Sequence, residues 1–179
     1  MIDPIVSTSA ALALAVIFAS AASHKLRHPN WFRRQVREYE LIPGLMVPVA
    51  ARALPIAELV IAAGLLWSIS RPYAGVLALL LIVLYGLAIA INLARGRKDI
   101  DCGCSGPAMR QPLQPALLAR NLLLAVIALG ALLPMLDRPL GLHDNFVMIA
   151  AGTVLVLLYT DTDLWLANRP LLLNLSGEK

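Results

Sequence analysis

Five long apolar segments dominate this sequence and restrict what it can fold into. They lie roughly at residues 5–22, 45–69, 73–93, 116–136 and 146–165. An α-helix rises about 1.5 Å per residue, so each segment can cross most of a hydrocarbon core about 30 Å thick. Barrel strands alternate apolar and polar residues, whereas residues 77–92 are apolar on every face except at Tyr85 and Gly86. The sequence therefore predicts an all-α, polytopic membrane helix bundle that forms one membrane domain over residues 1–179.

The composition supports this class and excludes a nucleic-acid-binding protein. Only 15% of the 179 residues are charged and 59% are apolar, whereas a soluble domain carries about 25% charged residues. The formal net charge is +4, but the basic residues lie in connections at the predicted membrane edges, where they contact lipid headgroups. No Gly-rich phosphate loop and no alternation of basic and aromatic residues is present. We expect the lipid bilayer, and no nucleic acid, as a partner.

Two long connections, at residues 23–44 and 94–115, contain most of the basic residues outside the spans. Within the first, residues 30–41 mix aromatic residues with arginines, which predicts an amphipathic segment that lies in the interface. The opposite face has only Arg71 and Arg138. The positive-inside rule then predicts a periplasmic N-terminus, with the long loops and the C-terminus in the cytoplasm.

The only two cysteines lie within three residues of each other, in the run Asp101-Cys102-Gly103-Cys104-Ser105-Gly106 between the third and fourth spans. Two cysteines one residue apart can form a disulfide, although the small ring is strained. Gly103 helps because glycine adopts backbone conformations that other residues avoid. A strained, accessible disulfide is labile and suits exchange. The spacing favours a redox-active pair.

Two other interpretations of the pair stay open. Two thiolates suit Cu(I) or zinc; a closed zinc site needs four ligands, and His24 and His28 lie on the same predicted face. A static disulfide between Cys102 and Cys104 would close almost no loop and would stabilise the fold little. Inert thiols prefer apolar surroundings, whereas this loop is polar. No metal is assigned here.

Glu58 lies near the middle of the second span and is a candidate for function. An ionised residue at that depth costs at least about 2.5 kcal/mol unless it is paired. It can also serve as a helix-packing group that is hydrogen-bonded to a neighbouring helix. The predicted partners of this carboxyl group are Lys25, Arg52, Asn92, Arg120 and Asn121.

Four polar residues at the ends of the third and fourth spans flank the cysteines: Asn92, Arg95, Arg120 and Asn121. A cation here can lower the pKa of a thiol or bind an oxygen of a membrane quinone. For Arg120 the favoured interpretation is instead an interfacial anchor. Tyr159 is assigned to the aromatic belt of the interface. Asp161 and Asp163 are expected to end the fifth helix in solvent.

The cysteine loop and its surroundings resemble a known family. The loop follows a span that ends Asn92-Leu93-Ala94-Arg95 and precedes a span that opens Ala119-Arg120-Asn121. Upstream are Lys25-Leu26, Glu40-Leu41-Ile42-Pro43 and Leu54-Pro55-Ile56-Ala57-Glu58-Leu59. This arrangement is similar to the MauE (methylamine-utilisation protein E) family, in the wider DoxX-like group, over about residues 7–133. Members often carry Phe where this chain has Ser105.

The resemblance implies a bacterial inner-membrane protein that works with a thioredoxin-like periplasmic partner while the disulfide-rich small subunit of methylamine dehydrogenase matures. It makes Cys102 and Cys104 the expected redox pair. Our first hypothesis is then a membrane thiol–disulfide oxidoreductase whose electrons pass to a quinone or to a second thiol protein. Alternatives are a non-enzymatic assembly factor or scaffold, and a small soft-metal transporter. The client matures outside the cytoplasm, whereas the distribution of charge places the cysteine loop inside.

Overall fold

The computed structural model describes residues 2–104, 106–107, 109–133, 136 and 138–176, with side chains as far as residue 168, so Ser105 lies outside the described residues. This part of the chain contains six helices and no strand. The helices are α1 (Pro4–Arg27), α2 (Pro29–Glu38), α3 (Val47–Leu66), α4 (Arg71–Ala94), α5 (Pro115–Leu132) and α6 (Leu142–Ser176). All except α2 are long and apolar enough to span a membrane. The predicted all-α membrane bundle with five spans is confirmed.

Proline lies at the first or second position of each helix from α1 to α5. Its fixed φ suits the first turn, where its missing N–H would have no helical partner. The sixth helix differs most from the prediction. It is 35 residues long and ends at Ser176, well beyond residue 165. Asp161 and Asp163 therefore lie inside a helix, and the prediction that they end it was wrong.

The first helix is the centre of the bundle and packs against α3, α5 and α6, while α4 packs against α3 and α5. Small side chains dominate its buried surface: Ser7, Ser9, Ala10, Ala11, Ala13, Ala15 and Ala22. Small residues let helix backbones approach closely, which is the main source of packing energy where lipid surrounds the helices. Large apolar side chains cover the outside of the bundle, among them Val49, Val60, Leu80, Leu84, Leu123 and Val154.

Several chain segments meet at one end of the bundle, which we call the cysteine end, and α6 reaches it at Asp163 and Leu166. The other segments are the C-terminal turns of α1 and α4, the N-terminal turns of α3 and α5, helix α2 and the connection 95–114. The amphipathic α2 buries Phe32 and Gln35 against this end and exposes its arginines. At the opposite end, Arg138 binds Asp3 and Asp144, and the N–H of Leu136 donates to the carbonyl of Ile2.

Candidate functional site

The two thiols lie side by side at the cysteine end. Cys102 and Cys104 are both reduced, and their Sγ atoms are 3.0 Å apart. A disulfide bond is about 2.05 Å long, so a movement of about 1 Å brings the sulfurs to bonding distance. Gly103 between them has a φ of 73°, in the left-handed region that favours glycine. A Cβ at this position would be 3.6 Å from the Cβ of Gln35, so the backbone angle rather than crowding requires glycine.

Backbone hydrogen bonds hold the cysteine loop in place. Asp101 and Pro112 form an isolated antiparallel bridge, and the N–H of Cys102 donates to the carbonyl of Gln111 over 2.8 Å. The Asp101 carboxylate accepts hydrogen bonds from the N–H groups of Gly103 and Gln111 at 3.3 and 3.1 Å. These hydrogen bonds fix the backbone of the loop and therefore the positions of the two cysteines.

Tyr39, just after α2, fastens this helix to the cysteine loop. Its hydroxyl donates to the carbonyl oxygen of Cys102 over 3.2 Å. Burial raises the pKa of Tyr39, so the hydroxyl keeps the proton that it donates. The sequence alone did not point to this residue, because a tyrosine in an amphipathic segment is explained by the interface.

Arg120 is buried beside the cysteines and is not an interfacial anchor. Its Nη2 is 3.6 Å from the Sγ of Cys102, and its Nη1 binds the carboxylate of Asp163 and the Oε1 of Gln111. Arg120 is 4% exposed and Asp163 is 7% exposed. The Arg120 guanidinium also lies 5.6 Å from the ring centre of Tyr159. The prediction that Arg120 is an interfacial anchor was wrong, and so was the prediction that Asp163 is solvated. Tyr159, assigned to the interfacial belt, is half-buried and contacts Arg120.

One sequence signal could have located Asp163 inside the bundle. The residues after it, Leu164-Trp165-Leu166, are apolar again, so the span continues beyond the carboxylate. An acidic residue within a span is expected to be paired. The partner itself could not be predicted, because Arg120 lies on another helix, 43 residues away along the chain.

Hydrogen bonding between the thiols lowers the pKa of one sulfur and raises that of the other. The pKa of Cys104 falls to about 6, first because the Cys102 thiol donates to it and then because of the positive charges of Arg120 and Lys25. The pKa of Cys102 rises because its proton is engaged in that hydrogen bond and because the group is buried. Hydrogen bonding within the pair therefore favours the thiolate on Cys104 over that on Cys102, and a thiolate is the reactive nucleophile.

A second charged cluster lies deeper in the bundle. Lys25 forms an ion pair with Glu58, and the two side chains are only 3% and 1% exposed. The hydroxyl of Tyr85 donates to the same Glu58 oxygen over 2.8 Å and is 3.2 Å from the Lys25 Nζ. The Lys25 ammonium also lies 5.0 Å from the ring centre of Phe32. Lys25 was one of the five predicted partners of Glu58, and its charge compensates the buried carboxylate.

A cavity of about 40 Å³ joins the two clusters. Cys104, Glu58, Arg120, Asn121 and Tyr85 all line it. Glu58 Oε2, Arg120 Nε and Asn121 Nδ2 have no hydrogen-bond partner within the described part of the chain. The volume exceeds the roughly 10–15 Å³ that one water molecule requires. Cys104 and the Lys25–Glu58 pair therefore line the same small cavity, whose other walls are mostly apolar.

Asn92 and Arg95 contact residues at and near the C-terminal end of α4 and Glu40. The Asn92 amide donates to the carbonyl of Ala88 over 3.1 Å within α4, and its oxygen is 3.5 Å from Arg97. Arg95 is exposed, and its guanidinium is 3.4 Å from the carbonyl of Glu40. These contacts stabilise the C-terminal end of α4. No group of three or more His, Cys, Asp and Glu side chains that could hold a metal occurs among the described residues.

Comparison with known proteins gives consistent matches. The family model described as methylamine utilisation protein MauE matches residues 3–134. The chain is 42% identical to the methylamine utilization protein MauE of Paracoccus versutus over 159 residues, which cover 88% of this chain and 85% of that protein. It is 36% identical to the MauE of Paracoccus denitrificans over 92% of this chain and 89% of that one, and 42% identical to the MauE of Methylorubrum extorquens over 88% and 86%. No solved structure gives a significant match.

Proposed function

Because the chain belongs to the MauE family, we propose that it is a membrane thiol–disulfide redox protein that exchanges disulfides with a thioredoxin-like partner. Its relatives are named methylamine utilization proteins, and we assign this chain to the same process, in support of the maturation of a disulfide-rich periplasmic client of the methylamine dehydrogenase type. One observation carries the proposal. The Sγ atoms of Cys102 and Cys104 are 3.0 Å apart, and the Arg120 guanidinium lies against one of them.

The exchange proceeds in two balanced steps. In the reduced chain the Cys104 thiolate attacks a disulfide of the partner, which forms a mixed disulfide and releases a partner thiolate. Cys102 then gives its proton to the released partner thiolate and attacks the Cys104 sulfur, which closes the Cys102–Cys104 disulfide and releases the second partner thiolate. The reverse sequence oxidises the partner. Cys104 takes the first role because it is the less buried sulfur and has the lower pKa.

The two buried ion pairs act on this chemistry through charge. Arg120 and Lys25 both favour the Cys104 thiolate, while the nearby carboxylate of Asp163 disfavours it. The carboxylates of Asp163 and Glu58 allow the two cations to stay in the bundle interior at all, since a buried charge without a partner is costly. Glu58 is therefore a positioning residue, which acts on the sulfurs through Lys25, whereas Asp163 both holds Arg120 and acts on Cys104 through its own charge.

Sidedness decides which partner can reach the sulfurs. Lys25 and Arg120 are buried in ion pairs, which leaves the exposed cations as the basis for an orientation. The exposed arginines of α2 still favour a cytoplasmic cysteine end and a periplasmic N-terminus in the inner membrane. Alkylation of intact inverted and right-side-out vesicles with a membrane-impermeant thiol reagent tests this orientation. Labelling only from the periplasmic side would overturn it and would place the thioredoxin-like partner in the periplasm.

Trapping of the mixed disulfide tests the exchange itself. A Cys102→Ser variant retains Cys104 and cannot resolve the complex, so we expect a covalent adduct with an oxidised thioredoxin-like protein. The Cys104→Ser variant is the matched control and should form the adduct far more slowly. If neither variant forms an adduct while both remain folded, the exchange mechanism is wrong. If a variant without both cysteines still supports client maturation, the chain is a scaffold.

A further inference from the structure

A groove of about 300 Å³ lies beside the cysteine loop, between α2, α3 and α4. Small-molecule sites typically measure about 300–1,000 Å³ and are mostly apolar with a few polar groups. The lining of this groove follows that pattern. Its walls are aliphatic or aromatic, and its polar side chains are Lys25, Gln35, Tyr39 and Tyr85 beside the two thiols.

The groove opens on the side of the bundle that faces lipid. Ala53 on α3 and Leu84 on α4 both line it, and both are exposed on the outer surface of membrane-spanning helices. A molecule dissolved in the hydrocarbon can therefore enter without crossing water. This position selects a lipophilic ligand.

Both cysteines line the groove, beside its few polar side chains. Cys102, Gly103 and Cys104 line it together with Gln35. Gln35 is 8% exposed, and its Oε1 has no hydrogen-bond partner among the residues that the structure describes. An amide can donate to a carbonyl oxygen and can accept from a hydroxyl. The unpartnered Oε1 of Gln35 therefore suits a hydroxyl of a ligand head group, whereas a lipid acyl chain would leave this oxygen unsatisfied.

The balance of electrons leads to the same ligand. The sequence contains one cysteine pair, so a chain that has taken two electrons from a thiol partner needs an acceptor that is not a second pair of its own. A lipid-soluble acceptor that takes two electrons and two protons meets this requirement, and its oxidised and reduced forms carry carbonyl and hydroxyl oxygens.

We propose that this groove binds a membrane quinone, which reoxidises the Cys102–Cys104 dithiol. This inference rests on the proposed function. The two sulfurs form one S–S bond and their two electrons pass to the quinone. The proton of the Cys102 thiol and one proton from water end on the quinone oxygens, which gives hydroquinone. The head group lies against Gly103 and Gln35, and the isoprenoid tail leaves the groove between Ala53 and Leu84.

The test uses the full chain in lipid nanodiscs, reduced and freed of reductant without oxygen, with a short-tailed ubiquinone analogue as the probe. We expect one hydroquinone per chain and the loss of both alkylatable thiols. Ala53→Leu places a larger side chain at the mouth of the groove and should slow hydroquinone formation about tenfold or more, which corresponds to about 1.4 kcal/mol for each factor of ten. Ala57→Leu, one turn further on the same exposed face and outside the groove, is the matched control and should react normally.

Gln35→Leu provides a second, independent variant. It removes the amide and keeps the apolar contact, so it should slow hydroquinone formation while exchange with the thioredoxin-like protein stays at the wild-type rate. Normal thiol exchange without hydroquinone, or equal rates in Ala53→Leu and Ala57→Leu, would overturn the quinone site and leave the proposed function intact. Failure of the folded wild-type protein in both assays would overturn both proposals.

Discussion

The two ends of the bundle use the same kind of ion pair in different surroundings. At the opposite end, Arg138 binds Asp3 and Asp144, and the side chains of Arg138 and Asp3 are 34% and 43% exposed. At the cysteine end, Arg120 binds Asp163 with side chains that are 2% and 11% exposed. Both ends bring distant parts of the chain together, but only the pair at the cysteine end has a cation in contact with a sulfur.

The exposed ion pairs only link helix ends, whereas the buried pairs also change the pKa of a nearby thiol. Exposed pairs are screened by solvent and contribute little. In a buried pair, the attraction between the charges hardly exceeds the cost of removing them from water. Apolar residues of similar size often stabilise a protein as well or better. The bundle nevertheless keeps two buried pairs, Lys25–Glu58 and Arg120–Asp163. Their closeness to Cys104, whose pKa both cations lower, gives a reason for this arrangement.

Glu58→Gln should give the largest loss of stability. It leaves the Lys25 ammonium uncompensated at a buried site, and breaking one side of a buried pair costs about 3–5 kcal/mol. Thermal unfolding in detergent measures the effect, with Asp144→Asn at the opposite end as the matched control. If Glu58→Gln loses no more thermal stability than Asp144→Asn, the buried and exposed ion pairs do not differ as we expect.

The double variant Lys25→Met, Glu58→Leu sharpens the same comparison. It removes both charges together, so stability should recover relative to Glu58→Gln. The Cys104 thiolate should still react more slowly near neutral pH, since the Lys25 charge that lowers its pKa is gone. Alkylation kinetics measure the reactivity, and full recovery of both properties would show that the pair is only structural.

Arg120→Gln should change the pH dependence of thiol reactivity. In the native chain, alkylation of Cys104 should accelerate as pH rises through about 6, because the thiolate is the nucleophile. Without Arg120 this midpoint should move to higher pH, and at a pH below the midpoint a pKa higher by about 1 lowers the thiolate fraction about tenfold. Asp163→Asn should move the midpoint to lower pH, since the Asp163 charge raises the pKa of Cys104. Movement in the same direction in both variants would contradict the electrostatic role.

Gly103→Ala tests whether the left-handed backbone between the cysteines is needed for disulfide formation, with Gly96→Ala as the control. Gly103 and Gly96 have φ of 73° and 75°, so alanine at either position should cost about 1–2 kcal/mol of stability. A Cβ at Gly96 would meet nothing within 4 Å, and this glycine lies outside the sulfur pair. Only Gly103→Ala should slow closure of the disulfide, as followed by loss of free thiols with a mild oxidant. Equal closure rates in the two variants would contradict the role of the left-handed backbone.

Asp3→Asn should have the smallest effect. The Arg138 guanidinium lowers the pKa of Asp3, so this pair stabilises the fold above the ordinary carboxyl pKa and loses its contribution as pH falls through the lowered value. Thermal unfolding of the variant should match that of the native chain in strong acid and fall only slightly below it at neutral pH. Thiol exchange should be unchanged, and a loss of exchange would show that the two ends are coupled.

Much of the fold follows from the sequence, because long apolar runs have few alternatives in a bilayer. The cysteine pair could be identified because both cysteines lie in one short polar loop. Pairing across helices was harder to predict. Glu58 required a partner on energetic grounds, but its choice of Lys25 depends on how α1 and α3 cross. Gln35 was hidden in an amphipathic segment, where a polar residue is expected to face water and this one is buried.

The most direct test of the central claim is the redox state of the two sulfurs at equilibrium. The chain in nanodiscs is incubated with thioredoxin-like protein poised at a series of thiol-to-disulfide ratios, and free thiols are then counted by alkylation and mass spectrometry. We predict that Cys102 and Cys104 lose and regain their labels together, reversibly and within one chain. Thiols that stay free at every ratio, or that couple only between chains, would contradict a redox-active pair.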